Sequence, residues 1–96
     1  MFDKMKQLME MKKQADALKK QLDATNVDVQ PVSGIKIRIN GSQRFQTIEI
    51  DQAHLRTENK QRFEGDLLKS LNTAITQSQQ VAAQKMKEIM PGMPGF

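Results

Sequence analysis

The segment Gly34–Asp51, GIKIRINGSQRFQTIEID, has the fewest ways to fold of any part of this chain. Ile35, Ile37 and Ile39 alternate with Lys36, Arg38 and Asn40, and Ile48 and Ile50 resume the alternation further on. Successive side chains of a strand point to opposite faces, so each run has one apolar and one polar face. Asn40-Gly41 between such runs is the strongest short hairpin signal a sequence offers. The pattern predicts a return strand over roughly residues 43–50, with Ile48 and Ile50 on the isoleucine face. Strand parity puts Phe45, Thr47 and Glu49 on the opposite face and Arg44 on the apolar side. Arg44 could reach the basic face only through a bulge or by lying at the turn, so the cationic face reduces to Lys36 and Arg38.

Helical patterns flank this hairpin. From Phe2 to about Asp23 there is no Gly, Pro or β-branched residue, and good helix formers dominate. Leu8, Met11, Ala15, Leu18 and Leu22 recur at spacings of 3 and 4, with Met5 and Met9 widening the seam. Two heptads are too few for a free-standing coiled coil, so the helix is expected to lie on a sheet or a partner subunit. Val27 and Val29 alternate with polar residues as a short strand, and Pro31–Gly34 predicts a turn. Beyond Asp51, QAHLRTENK is a connection with room for one helical turn around Leu55. Thr57 suits an N-cap, followed by Glu58 at the positive end of the dipole. A second helix is expected from about Glu58 to Met90, with Phe63, Leu67, Leu71, Ala74, Ser78, Val81 and Ala82 on one face. Pro91-Gly92 stops it, leaving residues 91–96 as a mobile tail. The expectation is a single α+β domain over 1–90: α-β-β-β-α, with a three-stranded antiparallel meander and two long helices.

Chemistry has little to work with. The chain has no cysteine and one histidine, His54, with no neighbouring nucleophile or ligand set. Glu64 and Asp66 are two residues apart on a helix and so do not face each other. Gly34 and Gly41 are accounted for by turns rather than a phosphate loop. These absences argue against an enzyme, a metal, a cofactor or a small-molecule substrate. No apolar run is long enough to span a bilayer, and the first residues lack an export signal, so a cytoplasmic location is expected.

Charge points elsewhere. Fifteen basic residues against eleven acidic ones give a net charge of +4, which favours an anionic partner. Lys6, Lys13 and Lys20 recur every seven residues on the first helix, with Lys12 and Lys19 beside them. They form a stripe about 21 Å long at 1.5 Å per residue. A phosphate-binding stripe fits them as well as a solvated face with internal pairs such as Asp16–Lys20 does. The four phenylalanines are scattered, offering no stacking platform, and no zinc or helix-turn-helix pattern occurs. A nucleic acid would therefore be gripped by its backbone.

In order and spacing, the chain resembles the YbaB/EbfC nucleoid-associated proteins of bacteria. The resemblance runs through MKQLMEMKKQADALKKQL, GIKIRINGSQ, TIEID, LNTA at Leu71–Ala74 and the closing IMPGMPGF. It implies a homodimer of α-β-β-β-α subunits shaped like tweezers, double-stranded DNA as partner, a nucleoid location, and a role in nucleoid organisation or gene regulation. It also implies DNA contacts on the first and last helices. The candidate contacts are then Lys6, Lys12, Lys13, Lys19 and Lys20, with Lys85 and Lys87 on the last helix and Lys36 and Arg38 in the hairpin. Leu8, Met11, Ala15, Leu18, Ile35, Ile37, Ile39, Ile48 and Ile50 are assigned to the core or the dimer seam. A protein-interaction or scaffold module and an RNA-binding protein are the alternatives.

Overall fold

The computed structural model describes residues 2–89, apart from the side chain of Phe2. The expected helix end at Met90 and the tail at 91–96 lie outside the described residues. The order is α1 (Phe2–Ala24), β1 (Asn26–Val32), β2 (Ile35–Asn40), β3 (Phe45–Ile50), two short 3-10 turns (Gln52–His54 and Thr57–Asn59) and α2 (Lys60–Ile89). The strands form one antiparallel sheet in the order β1-β2-β3. This is the α-β-β-β-α arrangement of an α+β fold.

The core follows from the isoleucine alternation. Ile35, Ile37 and Ile39 are fully buried, each stabilising the fold by roughly 1.5–3 kcal/mol relative to exposure. The lid over them is α2, which turns Ser70, Ala74 and Ser78 toward the sheet at i, i+4 and i+8, all three with no accessible surface. Small side chains at that spacing let the helix axis approach closely, while half-buried Phe63, Leu67, Leu71 and Ile75 pack around the rim. The two buried hydroxyls are satisfied: Ser70 Oγ donates to the Asp66 carbonyl at 2.8 Å and Ser78 Oγ to the Asn40 carbonyl at 2.7 Å. The second bond ties α2 to the end of β2.

Several local expectations need correction. The hairpin loop holds three residues rather than two: Asn40 N–H donates to the Arg44 carbonyl, Gln43 N–H to that of Asn40, and Gln43 alone takes positive φ, 64°. A turn followed by one left-handed residue is the usual three-residue loop. Asn40 Oδ1 accepts from the N–H of Ser42 and of Arg44, which holds the loop shut. A bulge beyond the loop leaves Ile39 opposite Phe45 rather than Gln46. The extra residue reverses the parity, so Phe45 falls on the isoleucine face, not with Thr47 and Glu49. Pro31, expected in a turn, lies within β1, where the register shifts between Val29 and Val32. An edge strand with a bulge tolerates the missing N–H. Thr57 is not an N-cap; it opens a 3-10 turn whose preceding Arg56 makes no side-chain cap bond, and α2 begins at Lys60. Asp51 caps a different element, the first 3-10 turn, where its Oδ1 accepts from Ala53 N–H at 3.0 Å.

Helix α1 packs only by its last turns. Leu18 is buried and Leu22 half-buried, whereas residues 3–17 are all exposed, and the molecule extends 67 Å along its longest axis. Its C-terminal end lacks a glycine cap of its own and is capped by the hairpin tip. Gly41 N–H donates to the Leu22 and Thr25 carbonyls at 3.0 and 2.9 Å, and Asn40 Nδ2 to that of Asp23 at 3.4 Å. The Ser42 hydroxyl adds a bond to the Asp23 carboxylate.

Candidate nucleic-acid interface

A long helix with nothing packed on its first four turns is a rod of surface, and its decoration determines what it meets. On α1, Lys6, Lys13 and Lys20 lie in one line drifting about 20° per heptad, while Lys12 and Lys19 stand about 100° round from them. Lys6, Met9, Glu10, Lys12, Lys13 and Asp16 border a single shallow depression, so the two lysine rows share one flank. All five lysines are exposed, and none lies within ion-pair distance of an acid among the described residues. The expected Asp16–Lys20 pair does not form, so the lysines stand beside Glu10 and Asp16 without a direct ion pair among the described residues.

The other candidate cations stand differently. Arg38 binds Asp28 with both ends of its fork, Nε to Oδ1 at 2.8 Å and Nη2 to Oδ2 at 3.3 Å, from the directly opposite position on β1. The guanidinium holds the Asp28 carboxyl below the ordinary carboxylate value, its hydrogen bond being the largest cause. Lys36 stands opposite Glu49. The hairpin's outer face is therefore a mixed-charge checkerboard rather than a positive patch. On α2, Lys85 lies 3.8 Å from Glu88, while Lys87 is exposed. Lys69, which periodicity did not single out, is exposed on the same helix. Lys60 and Arg62 face Glu64 and Asp66 one turn on, at 3.0 and 4.0 Å.

The assignments to core or dimer seam divide. Leu18, Ile35, Ile37 and Ile39 are core and Ile50 is half-buried, but Leu8, Met11, Ala15 and Ile48 are exposed. Phe45, Leu55 and Leu68 are exposed as well. The side chains that sequence periodicity underrated are the buried Val29 and Ser70. Their signal was present in the strand alternation and in the i, i+4 spacing to Ala74.

His54 has a structural task. Its Nε2 lies 2.8 Å from the Ser33 carbonyl, and its ring centroid is 6.0 Å from that of Phe63. A carbonyl only accepts, so Nε2 carries the proton. Gly34, at φ 88°, leaves space for the ring: a Cβ there would stand 2.6 Å from His54 Nε2. The histidine thus pins the segment after β3 against the β1–β2 turn. Among the described residues no group of three His, Asp or Glu could hold a metal ion, and no helix is long and apolar enough to cross a membrane.

Comparison with known proteins gives the same architecture a lineage. A protein of Moorella thermoacetica described as "Nucleoid-associated protein" is 30% identical over 95 residues, covering 96% of this chain and 91% of that protein. The model of the YbaB/EbfC DNA-binding family matches residues 1–93. With nearly its whole length matched, the chain belongs to the YbaB/EbfC DNA-binding family.

Proposed function

We propose that this chain is a nucleoid-associated protein that binds duplex DNA as a homodimer, gripping backbone phosphates with the lysines of α1. The observation that carries the reading is the run of five exposed lysines, without an ion pair among the described residues, on a helix that buries nothing over residues 3–17. Family membership and the description of the Moorella relative support it. Lys6, Lys12, Lys13, Lys19 and Lys20 are the principal contacts and Lys87 a second site. Lys85, Lys36 and Arg38 contribute less, because each has an acid beside or across from it. A second copy would cover the apolar side chains left exposed on α1 and β3, chiefly Leu8, Met11, Phe45 and Ile48. Two copies would carry +8.

Neutralising about six phosphates gives a slope near −5 in log K against log salt. Filter binding over a salt series measures it, with the dimer mass fixed by light scattering. Reversing Lys12, Lys13, Lys19 and Lys20 to Glu should abolish DNA retardation while leaving the dimer intact. A slope near zero, or full retardation by the reversed variant, refutes the phosphate grip. Competition with structured RNA of equal charge separates DNA from RNA as the ligand.

A further inference from the structure

The hairpin tip holds a reactive dipeptide. Of the four asparagines in the chain, Asn26, Asn59 and Asn72 precede Val, Lys and Thr, and only Asn40 precedes glycine. An asparagine side chain can be attacked at Cγ by the backbone nitrogen of the next residue. Glycine hinders that attack least, having no side chain beside its nitrogen. A cyclic imide results: the bond from Gly41 N to Cγ forms, the Cγ–Nδ2 bond breaks, and the Gly41 amide proton leaves with Nδ2 as ammonia. Water then opens the imide at either carbonyl, giving aspartate or its β-linked isomer.

The folded tip holds every participant in that reaction, but with different partners. Asn40 Oδ1 accepts from the N–H of Ser42 at 3.0 Å and of Arg44 at 2.9 Å, both within the hairpin itself. Two backbone donors on one oxygen are the arrangement that stabilises the oxyanion formed when a nucleophile adds to a carbonyl. The nucleophile and the leaving group are restrained instead by the end of α1 and the residue after it. Gly41 N–H is engaged by the Leu22 and Thr25 carbonyls at 3.0 and 2.9 Å, and Asn40 Nδ2 by the Asp23 carbonyl at 3.4 Å. Leu22 lies directly against Gly41, and Asn40 is only 4% exposed, which keeps base and water out. Yet the helix that shields the pair is weakly anchored, burying only Leu18 fully and Leu22 in part. A segment with so few buried contacts opens at a lower free energy than the sheet does.

We infer that Asn40-Gly41 is a deamidation site gated by the docking of α1, and that its product releases the helix permanently. When α1 lifts, Gly41 N–H and Nδ2 lose their acceptors and meet solvent base, while Oδ1 keeps both of its donors. The product cannot rebuild the joint. A carboxylate has no proton for the Asp23 carbonyl, and it stands near the Asp23 carboxylate, which the Ser42 hydroxyl binds. The β-linked isomer also places one more carbon in the backbone before Gly41, which moves its N–H off the Leu22 and Thr25 carbonyls. The joint is the same whether or not the lysines of α1 grip DNA, so the site stands apart from that reading.

The test follows conversion of Asn40 in the full-length protein at mildly alkaline pH. Trypsin cuts after Arg38 and Arg44, so mass spectrometry reads the pair in the single peptide Ile39–Arg44, and isoaspartyl methyltransferase labels the β-linked form. Folded wild type is expected to convert at least about tenfold more slowly than the chain fully unfolded in urea. Its rate should begin to rise at urea concentrations below the global transition, as α1 lifts ahead of the sheet. Leu18→Ala loosens α1 without touching the tip; it should speed conversion about tenfold or more while the β2 amides stay protected from hydrogen exchange. Asn40→Asp, which installs one product directly, should lose protection at the Gly41 amide and keep it through β2. Folded and unfolded chains converting at one rate, or a rate that rises only with global unfolding, overturns the inference. So does a Leu18→Ala protein with an intact sheet and no acceleration, or an Asn40→Asp protein whose Gly41 amide stays protected. If Leu18→Ala unfolds the sheet, the urea series on wild type decides by itself.

Discussion

Gly41 packs against the end of α1 more closely than a Cβ ordinarily approaches its neighbours. A Cβ built on it would stand 3.0 Å from Leu22 Cδ2, 3.1 Å from the Leu22 carbonyl oxygen and 3.2 Å from Leu22 Cα. Two of those atoms belong to the backbone of a helix and do not rotate away. Gly41 does not take positive φ, so Gly41→Ala tests close approach without backbone strain. Overpacking of this kind costs about 1–3 kcal/mol. Pushing the loop outward also stretches the bonds from Gly41 N–H to the Leu22 and Thr25 carbonyls, worth about 0.5–1.5 kcal/mol net. The sum is a destabilisation of about 2–4 kcal/mol, or at least ~8 °C in Tm for a domain of this size. Gly65 is the control: nothing lies within 4 Å of a Cβ there, and it sits inside α2. Gly65→Ala should stabilise by about 0.5–1 kcal/mol through helix propensity and a less disordered unfolded chain. Urea unfolding followed by circular dichroism, at one protein concentration, measures both. A Gly41→Ala protein within about 0.5 kcal/mol of wild type refutes the argument that the hairpin tip closes onto α1.

Two further outcomes follow from buried and paired polar groups. Ser78→Ala removes the 2.7 Å bond to the Asn40 carbonyl at a site with no accessible surface, and should cost about 1–3 kcal/mol in the same urea assay. The Asp28 carboxyl is held below its ordinary 3.8 by Arg38, so its stabilising contribution is present above that value and disappears as pH falls through the lowered one. Wild type and Asp28→Asn should therefore differ in thermal stability at neutral pH and converge in acid; a gap that persists well below pH 3.8 would point to lost packing instead.

The element order was legible because each signal is local. Alternating isoleucines define a strand face whatever lies across from it, and a break-free run of Leu, Met, Lys and Gln forms a helix through its own backbone bonds. The lysine rows of α1 were legible for the same reason, since seven-residue spacing on a helix fixes direction without reference to the rest of the molecule. What failed was anything decided by a partner distant in sequence. Phe45 changed faces because a bulge in β3 inserts one residue, and a period-2 pattern carries no mark of where the count slips. Lys36 and Arg38 looked like a cationic face until the register set Glu49 and Asp28 opposite them. Ser70 was not singled out by the helical period, yet the helix packs closely there and buries it, its hydroxyl donating to the Asp66 carbonyl.

The sequence by itself determined that a hairpin forms at Asn40-Gly41 and that two long helices flank it. Only the tertiary structure decided what Gly41 is for. The left-handed residue of the loop is Gln43, so the glycine is required not by the turn but by the helix end sixteen residues or more before it. The unpaired carbonyls of α1 need donors, and the N–H with no side chain to hold it away is the one that reaches them.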